Sequence, residues 1–166
     1  MKEDIESLIK RYSTELTRLC ISLCGNTADA DDLFQETWFK ALRRIDSYNE
    51  DYPFDKWLFS ICANTFKNQR KLFYNSKRYS FLTDEEMQTF FSSLPDDTSQ
   101  ACEAYAELHK AIGKLPKKLR TVLVLYYFRE RSISEVAEIL GIPEGTVKSR
   151  LHSARHQIKR RIQNED

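Results

Sequence analysis

Ser132-Ile133-Ser134-Glu135-Val136-Ala137-Glu138-Ile139-Leu140-Gly141-Ile142-Pro143-Glu144-Gly145-Thr146-Val147-Lys148-Ser149-Arg150-Leu151 is the stretch on which the reading of this chain turns. Ser132 and Glu135 have the spacing of a capping box, so a helix starts there. Gly141 can take the left-handed conformation that ends a helix, and Pro143 suits the first position of the next. Val136, Ala137, Leu140, Ile142, Val147 and Leu151 fill the core between the two, and the small Ala137 lets the helices approach closely. Two helices joined by a tight glycine turn make a helix-turn-helix, with the helix from Pro143 as its recognition helix. That helix exposes Lys148, Ser149, His152, Ser153 and Arg155, then runs into Lys159, Arg160 and Arg161. From Thr146 to Arg161 there are six Lys or Arg residues and no acid. A one-sided basic run on this helix is an electrostatic footprint for duplex DNA, with early residues reaching base edges and later arginines holding phosphates.

Working outward, Leu108, Ala111, Ile112 and Leu115 lead into Pro116, which begins a helix with Leu119, Val122, Leu123 and Tyr126 on its apolar face. Net charge divides the chain further. Residues 1–80 carry 13 basic and 12 acidic side chains, residues 81–107 none and 7, and residues 108–166 carry 13 and 6. A neutral front, an acidic middle and a basic end imply two folded parts joined by a tether. The stretch from Phe81 to Gln100 has the Pro, Ser and Asp content of a linker, interrupted by Met87, Phe90 and Phe91, which fit either a short helix or a segment ordered by a partner. With four glycines and four prolines in 166 residues, helix is the default and the expected class is all-α.

The front part shows three helical patterns. Ile5, Leu8, Ile9, Tyr12, Leu16, Leu19, Cys20 and Leu23 recur at three- and four-residue steps until Gly25-Asn26 stops them. Ala30, Leu33, Phe34, Thr37, Trp38, Ala41, Leu42 and Ile45 form the face of a second helix, whose opposite side carries Asp29, Asp32, Gln35, Glu36, Lys40 and Arg43. After a loop over Asp46–Pro53, a third helix buries Trp57, Leu58, Ile61, Cys62 and Thr65 and exposes Lys56, Asn64, Lys67, Asn68, Arg70 and Lys71. Amides and cations beside a Tyr- and Phe-bearing loop can hold single-stranded nucleic acid, through phosphate neutralisation, base stacking and base-edge hydrogen bonds. The same composition also suits a solvated helix face.

Several classes of function are set aside by the same residues. The charged N-terminus lacks the apolar run of a signal peptide, and no stretch approaches the roughly 20 apolar residues of a membrane span, so a cytoplasmic protein with no membrane insertion is expected. Cys20, Cys24, Cys62 and Cys102 are too scattered for a disulfide framework and read as core residues. Cys20 and Cys24, like His152 and His156, stand one helical turn apart, a spacing that suits a metal, but the first pair continues an apolar stripe and the second lies on the basic surface. No metal, cofactor or enzymatic site is expected.

Three blocks carry a family resemblance: Asp31-Asp32-Leu33-Phe34-Gln35-Glu36-Thr37-Trp38, Trp57-Leu58-Phe59-Ser60-Ile61-Cys62-Ala63-Asn64 and Gly145-Thr146-Val147-Lys148-Ser149-Arg150-Leu151. In that order the chain resembles the extracytoplasmic-function sigma factors of bacterial RNA polymerase, over most of its length except the linker. The resemblance implies an N-terminal helical domain, residues 1–80, that binds core RNA polymerase and melts the minus-ten promoter element. An acidic linker, 81–100, and a helix-turn-helix domain, 101–166, that reads the minus-thirty-five element complete it. By the same resemblance Asp32, Gln35 and Glu36 dock on the polymerase, and Tyr52, Phe54, Asn64, Lys67, Asn68, Arg70 and Lys71 face minus-ten DNA. Thr146, Lys148, Ser149, Arg150, His152, Ser153 and Arg155 face minus-thirty-five DNA. Two departures bear on promoter choice: many members carry Arg where this chain has Ser153, and Tyr52-Pro53 stiffens the loop that captures a flipped base. The family is commonly held by a membrane-anchored anti-sigma factor, which the resemblance extends to this chain. The alternative, an ordinary helix-turn-helix transcription regulator, would need a receiver domain with alternating strands, and residues 1–80 show no strand pattern.

Overall fold

The computed structural model describes residues 3–69, 83–92 and 99–164, and every regular element among them is helical. Helix α1, Ile5–Cys24, buries Leu8, Leu16, Leu19, Cys20 and Leu23. It ends on Gly25 at φ 77°, whose N–H bonds the Ile21 carbonyl at 2.7 Å. Gly25 alone is the stop, because Asn26 already starts α2, Thr27–Arg43: its Oδ1 accepts from the Asp29 N–H at 2.9 Å, and its Nδ2 donates to the Asp29 carboxylate at 2.7 Å. Asp29 is therefore buried in this cap and not on the exposed polar face expected for it. A short 3₁₀ turn, Ile45–Ser47, leads to α3, Phe54–Asn68.

Within the stretch expected as linker, α4 spans Asp84–Ser92, the first of the two alternatives left open there. A reciprocal cap starts it, with Thr83 N–H donating to Glu86 Oε2 at 3.0 Å and Glu86 N–H to Thr83 Oγ1 at 3.1 Å. The side chains of Met87, Phe90, Phe91 and Cys102 lie outside the described set, as do Arg70 and Lys71 altogether.

The C-terminal half comprises α5, Ser99–Gly113; α6, Lys117–Leu123; a π-type turn, Val124–Phe128; α7, Ile133–Leu140; and α8, Glu144–Asn164. Pro116 and Pro143 stand one residue before α6 and α8 and cap them through their carbonyls, which accept from Leu119 and Arg120, and from Thr146 and Val147. The Arg129 N–H reaches back to the Val124 carbonyl at 3.0 Å, so the turn holds one residue more than an α-helix would. That shift of register buries Val124 and Leu125, which the simple helical pattern from Pro116 does not select, and leaves Tyr126 half-buried. Glu130 leaves the turn in the left-handed region at φ 54°.

Helix α7 starts as expected, with Ser132 Oγ accepting from Glu135 N–H at 3.1 Å, and stops on Gly141 at φ 64°. Val136, Val147 and Leu151 are buried between α7 and α8, while Ala137, Leu140 and Ile142 are half-buried. Ile139, a position the turn pattern does not demand, is also buried.

The two halves are more than tethered. One apolar cluster holds Leu16, Leu33, Leu58, Phe59 and Phe66 of the front half together with Val122, Leu125, Val136, Ile139 and Leu151 of the back half. Polar bridges rim it. Arg131 bonds Asp55 at 2.8 Å and Glu135 at 3.3 Å and lies 4.9 Å over the Phe59 ring. Lys56 meets Glu138 at 3.1 Å, and Glu86 of α4 meets both Arg129 at 2.8 Å and Arg18 at 3.6 Å.

Candidate functional site

Three surfaces carry the side chains singled out by sequence. The first is the outer face of α2. Asp32, Gln35 and Glu36 are all exposed there, the last two each one turn beyond Asp32. Lys40 is half-buried, pairing with Glu36 at 3.7 Å and donating to Thr65 Oγ1 at 3.3 Å. The row continues into Phe39, 57% exposed under the Arg43 guanidinium, and Leu42, 37% exposed. Leu42 was expected on the core face. Phe39 was missed, although its place three residues after Glu36, off the apolar stripe, marks it as outward.

The second surface is α3 with the loop before it. Asn64, Lys67 and Asn68 are exposed at three- and four-residue spacing, so they form one patch. Phe54 differs from expectation: it is 7% exposed and sits among Tyr12 at 4.9 Å, Tyr48 at 5.3 Å and Trp57 at 5.4 Å between ring centroids. An aromatic ring so enclosed cannot stack on a base; it anchors the loop to the core. Tyr48 donates its hydroxyl hydrogen bond to the Tyr52 carbonyl, and Asn49 accepts from the N–H groups of Tyr52 and Asp51 at 3.0 Å each. The loop is thus shaped before any ligand arrives. Tyr52 itself is half-buried, and burial raises its phenol above the ordinary value, as it does for Tyr48. Lys56, expected on the exposed face, is instead engaged with Glu138 of α7, a hydrogen bond that raises its ammonium pKa.

The third surface is α8. Lys148, Ser149, His152, Ser153 and Arg155 are exposed, and Thr146 and Arg150 half-buried. Arg155 lies 5.7 Å over the Tyr127 ring. The inward side of the same helix is apolar through Val147, Leu151 and Ala154, which fixes the rotation that turns the cations outward. Beyond this exposed row, an open groove of about 650 Å³ is floored by Leu108, Ile112, Leu123, Phe128, Ile158 and Ile162 and rimmed by Arg155 and Lys159.

Helix α6 supplies cations of another kind. Lys117 donates to the carbonyls of Phe66, at 3.0 Å, and Gln69 at the end of α3, and burial lowers its pKa. Arg120, 5% exposed, donates to Leu23 at the end of α1, at 3.1 Å, and to Gly113 and Leu115 at the end of α5. Both satisfy carbonyls that helix ends leave unpaired, where the dipole favours positive charge.

Cys20, Cys24 and Cys62 are free thiols in the core, the first and last with sulfurs 3.8 Å apart, and burial pushes the Cys20 and Cys24 thiols up. A thiol held neutral is a poor nucleophile and ligand, in keeping with a packing role. Among the described residues no helix is long and apolar enough to cross a membrane.

Comparison with known proteins places this arrangement. Residues 8–71 match the family model Sigma-70 region 2, and residues 105–158 match Sigma-70, region 4. The ECF RNA polymerase sigma factor SigW of Bacillus subtilis is 34% identical over 93% of this chain and 87% of its own length. The ECF RNA polymerase sigma-E factor of Salmonella typhimurium is 31% identical over 94% of this chain and 85% of its own length. Among solved structures, the sigma factor RpoE in complex with the anti-sigma factor NepR from Bartonella quintana superposes with a TM-score of 0.66 at 25% identity, covering 96% of this chain and 97% of that one. CnrH in complex with the cytosolic domain of CnrY shares the fold at a TM-score of 0.65 and 24% identity, over 97% and 88% of the two chains. With both sigma regions present in order and relatives matched along nearly the whole chain, this protein belongs to the extracytoplasmic-function sigma factors, non-enzymatic proteins that direct RNA polymerase to promoters.

Proposed function

We propose that Asp32, Gln35 and Glu36 dock on core RNA polymerase, that Asn64, Lys67 and Asn68 with the Tyr52 loop hold the melted minus-ten strand, and that the outer face of α8 reads the minus-thirty-five duplex. On this reading residues 1–80 and 101–166 are the two working domains, and 81–100 the segment that runs between them. Arg70 and Lys71 extend the α3 face by sequence alone. The observation that carries the proposal is that the two polar rows, on α3 and on α8, are both outward-facing while other cations of the same chain are turned inward. Flipping and holding a base costs a few kcal/mol, which a preshaped loop and a cationic groove help to offset.

The protein works in the cytoplasm, where polymerase and promoter are, and an anti-sigma factor anchored in the membrane holds it inactive. One similar structure is a sigma factor in complex with an anti-sigma factor, NepR, and another is a complex with the cytosolic domain of CnrY. The apolar groove between α5, the π-type turn and α8, with its basic rim, suits an amphipathic partner helix of acidic flank. In vitro transcription with core polymerase and a promoter library tests the whole reading: the chain should start transcription from a subset of promoters, whereas mere duplex binding without initiation would refute it.

A further inference from the structure

Lys117 and Lys118 are neighbours in sequence with opposite fates. Lys117 is folded back onto the end of α3, whereas Lys118 is exposed. Its backbone is held firmly, since Leu119 beside it is buried and its N–H bonds the Pro116 carbonyl at 3.0 Å. Lys118 lines one wall of an open cleft of about 400 Å³ whose other wall is α8, with Ser149, Arg150, Ser153 and Gln157. Ser149, Ser153 and Gln157 are four residues apart and so form one row along the helix, and that row carries no charge. Lys148, Arg155 and Lys159 belong to other rows. Among the described residues no carboxylate pairs with Lys118.

A cleft lined by hydroxyls, an amide and the Arg150 guanidinium, open to solvent beside a recognition helix and fronted by the Lys118 ammonium, has the chemistry of a phosphate seat: Ser153 and Gln157 can donate to its oxygens, Ser149 can do so once its hydroxyl leaves the Thr146 carbonyl at 3.1 Å, and two cations meet its charge. We propose that Lys118 neutralises one backbone phosphate of the minus-thirty-five duplex, seated in this cleft against Ser149, Ser153 and Gln157. It adds from α6 a second positive charge, across the cleft from the Arg150 guanidinium of α8. The inference rests on the assignment of α8 to duplex DNA and adds to it a binding residue outside the helix-turn-helix.

The test measures binding of the polymerase holoenzyme to a promoter fragment taken from the library, across a series of KCl concentrations. One neutralised phosphate contributes about 0.9 to the slope of log K against log salt, so Lys118→Ala should flatten the slope by about 0.9 and weaken binding about eightfold at 0.1 M relative to 1 M salt. Lys118→Gln, which keeps most of the stem, should do the same, and circular dichroism should show unchanged helix content for both. Because a phosphate carries no sequence, the order of preference among promoter variants should not move. Ser153→Arg placed in the Lys118→Ala protein should restore the slope, since it returns a cation to the same cleft. If Lys148→Ala weakens binding while Lys118→Ala leaves affinity and slope unchanged, the phosphate seat is wrong and the reading of α8 stands. If neither substitution has an effect, the reading of α8 falls and the seat with it.

Discussion

Set the cations of α6 against those of α8. Lys117 and Arg120 point into the molecule and close the ends of α1, α3 and α5, while Lys148, Arg150 and Arg155 point out or stand at the surface. The residue types are the same, and the excess of basic side chains over residues 108–166 counts both sorts alike. The difference lies in the partner. Three helices end against α6, each with carbonyls left over, and a buried cation there replaces water. Among the described residues no carbonyl accepts a hydrogen bond from Lys148, Arg150 or Arg155 of α8, so their charge stays available to a ligand. A basic segment is therefore an upper bound on a DNA footprint.

The contrast is broken most readily at Arg120. Arg120→Ala strips the cation from three carbonyls, two of them in buried hydrogen bonds, and opens a void, and should cost about 3–5 kcal/mol of stability in urea denaturation. A loss under about 1 kcal/mol would mean that the inward cations are incidental. An outward pair should behave in the opposite way. Gln35→Ala with Glu36→Ala removes only exposed side chains and a surface ion pair worth little by itself, so stability should hold. Affinity for core polymerase should fall by about 2 kcal/mol, roughly thirtyfold, in a fluorescence titration.

Asn64→Ala sharpens the division between the two DNA faces. It should leave closed-complex formation near normal and reduce promoter opening, scored by permanganate reactivity of unpaired thymines; a mismatched bubble at the same place should restore transcription. Equal losses of duplex binding for Asn64→Ala and Lys148→Ala, with no opening defect, would return the α3 face to an ordinary solvated surface. The smallest effect belongs to Glu130. Its left-handed backbone costs a side-chain-bearing residue about 1 kcal/mol, so Glu130→Gly should raise stability by about 0.5 kcal/mol, readable as a shift of the urea midpoint at constant slope.

The helix-turn-helix was legible because each boundary has a local cause: a serine cap, a glycine in the left-handed region and a proline before the next helix. The outward rows at Asp32–Glu36 and Asn64–Asn68 were legible for a similar reason, since helical periodicity alone fixes which side chains share a face. What failed to show had distant causes. Nothing near Asp29 announces that Asn26 will close over its carboxylate, and Phe54 reads as a loop aromatic until Tyr12 and Trp57 surround it. The π-type turn adds a residue with no glycine or proline to mark it. One signal was available in the width of a single face: Ile139 broadens the apolar stripe of Val136, Ala137 and Leu140 on α7 to nearly half the circumference, more than the contact with α8 alone would cover. The second cover is the front half of the protein.

That shared core has an energetic consequence. On the proposed division of labour the two DNA-reading faces must lie roughly 25 base pairs apart, or about 85 Å at 3.4 Å per pair. A compact chain of this length has a radius of gyration of about 15 Å and is about 40 Å across. The faces cannot occupy both elements while Ile139 and Val136 remain in one cluster with Leu58 and Phe59. Any partner that holds the halves apart then binds with its intrinsic affinity multiplied by the fraction of molecules already parted, and any partner that clasps them together is favoured by the same factor. The front half acts on the back half as a tethered competitor, present at an effective concentration that no dilution can lower.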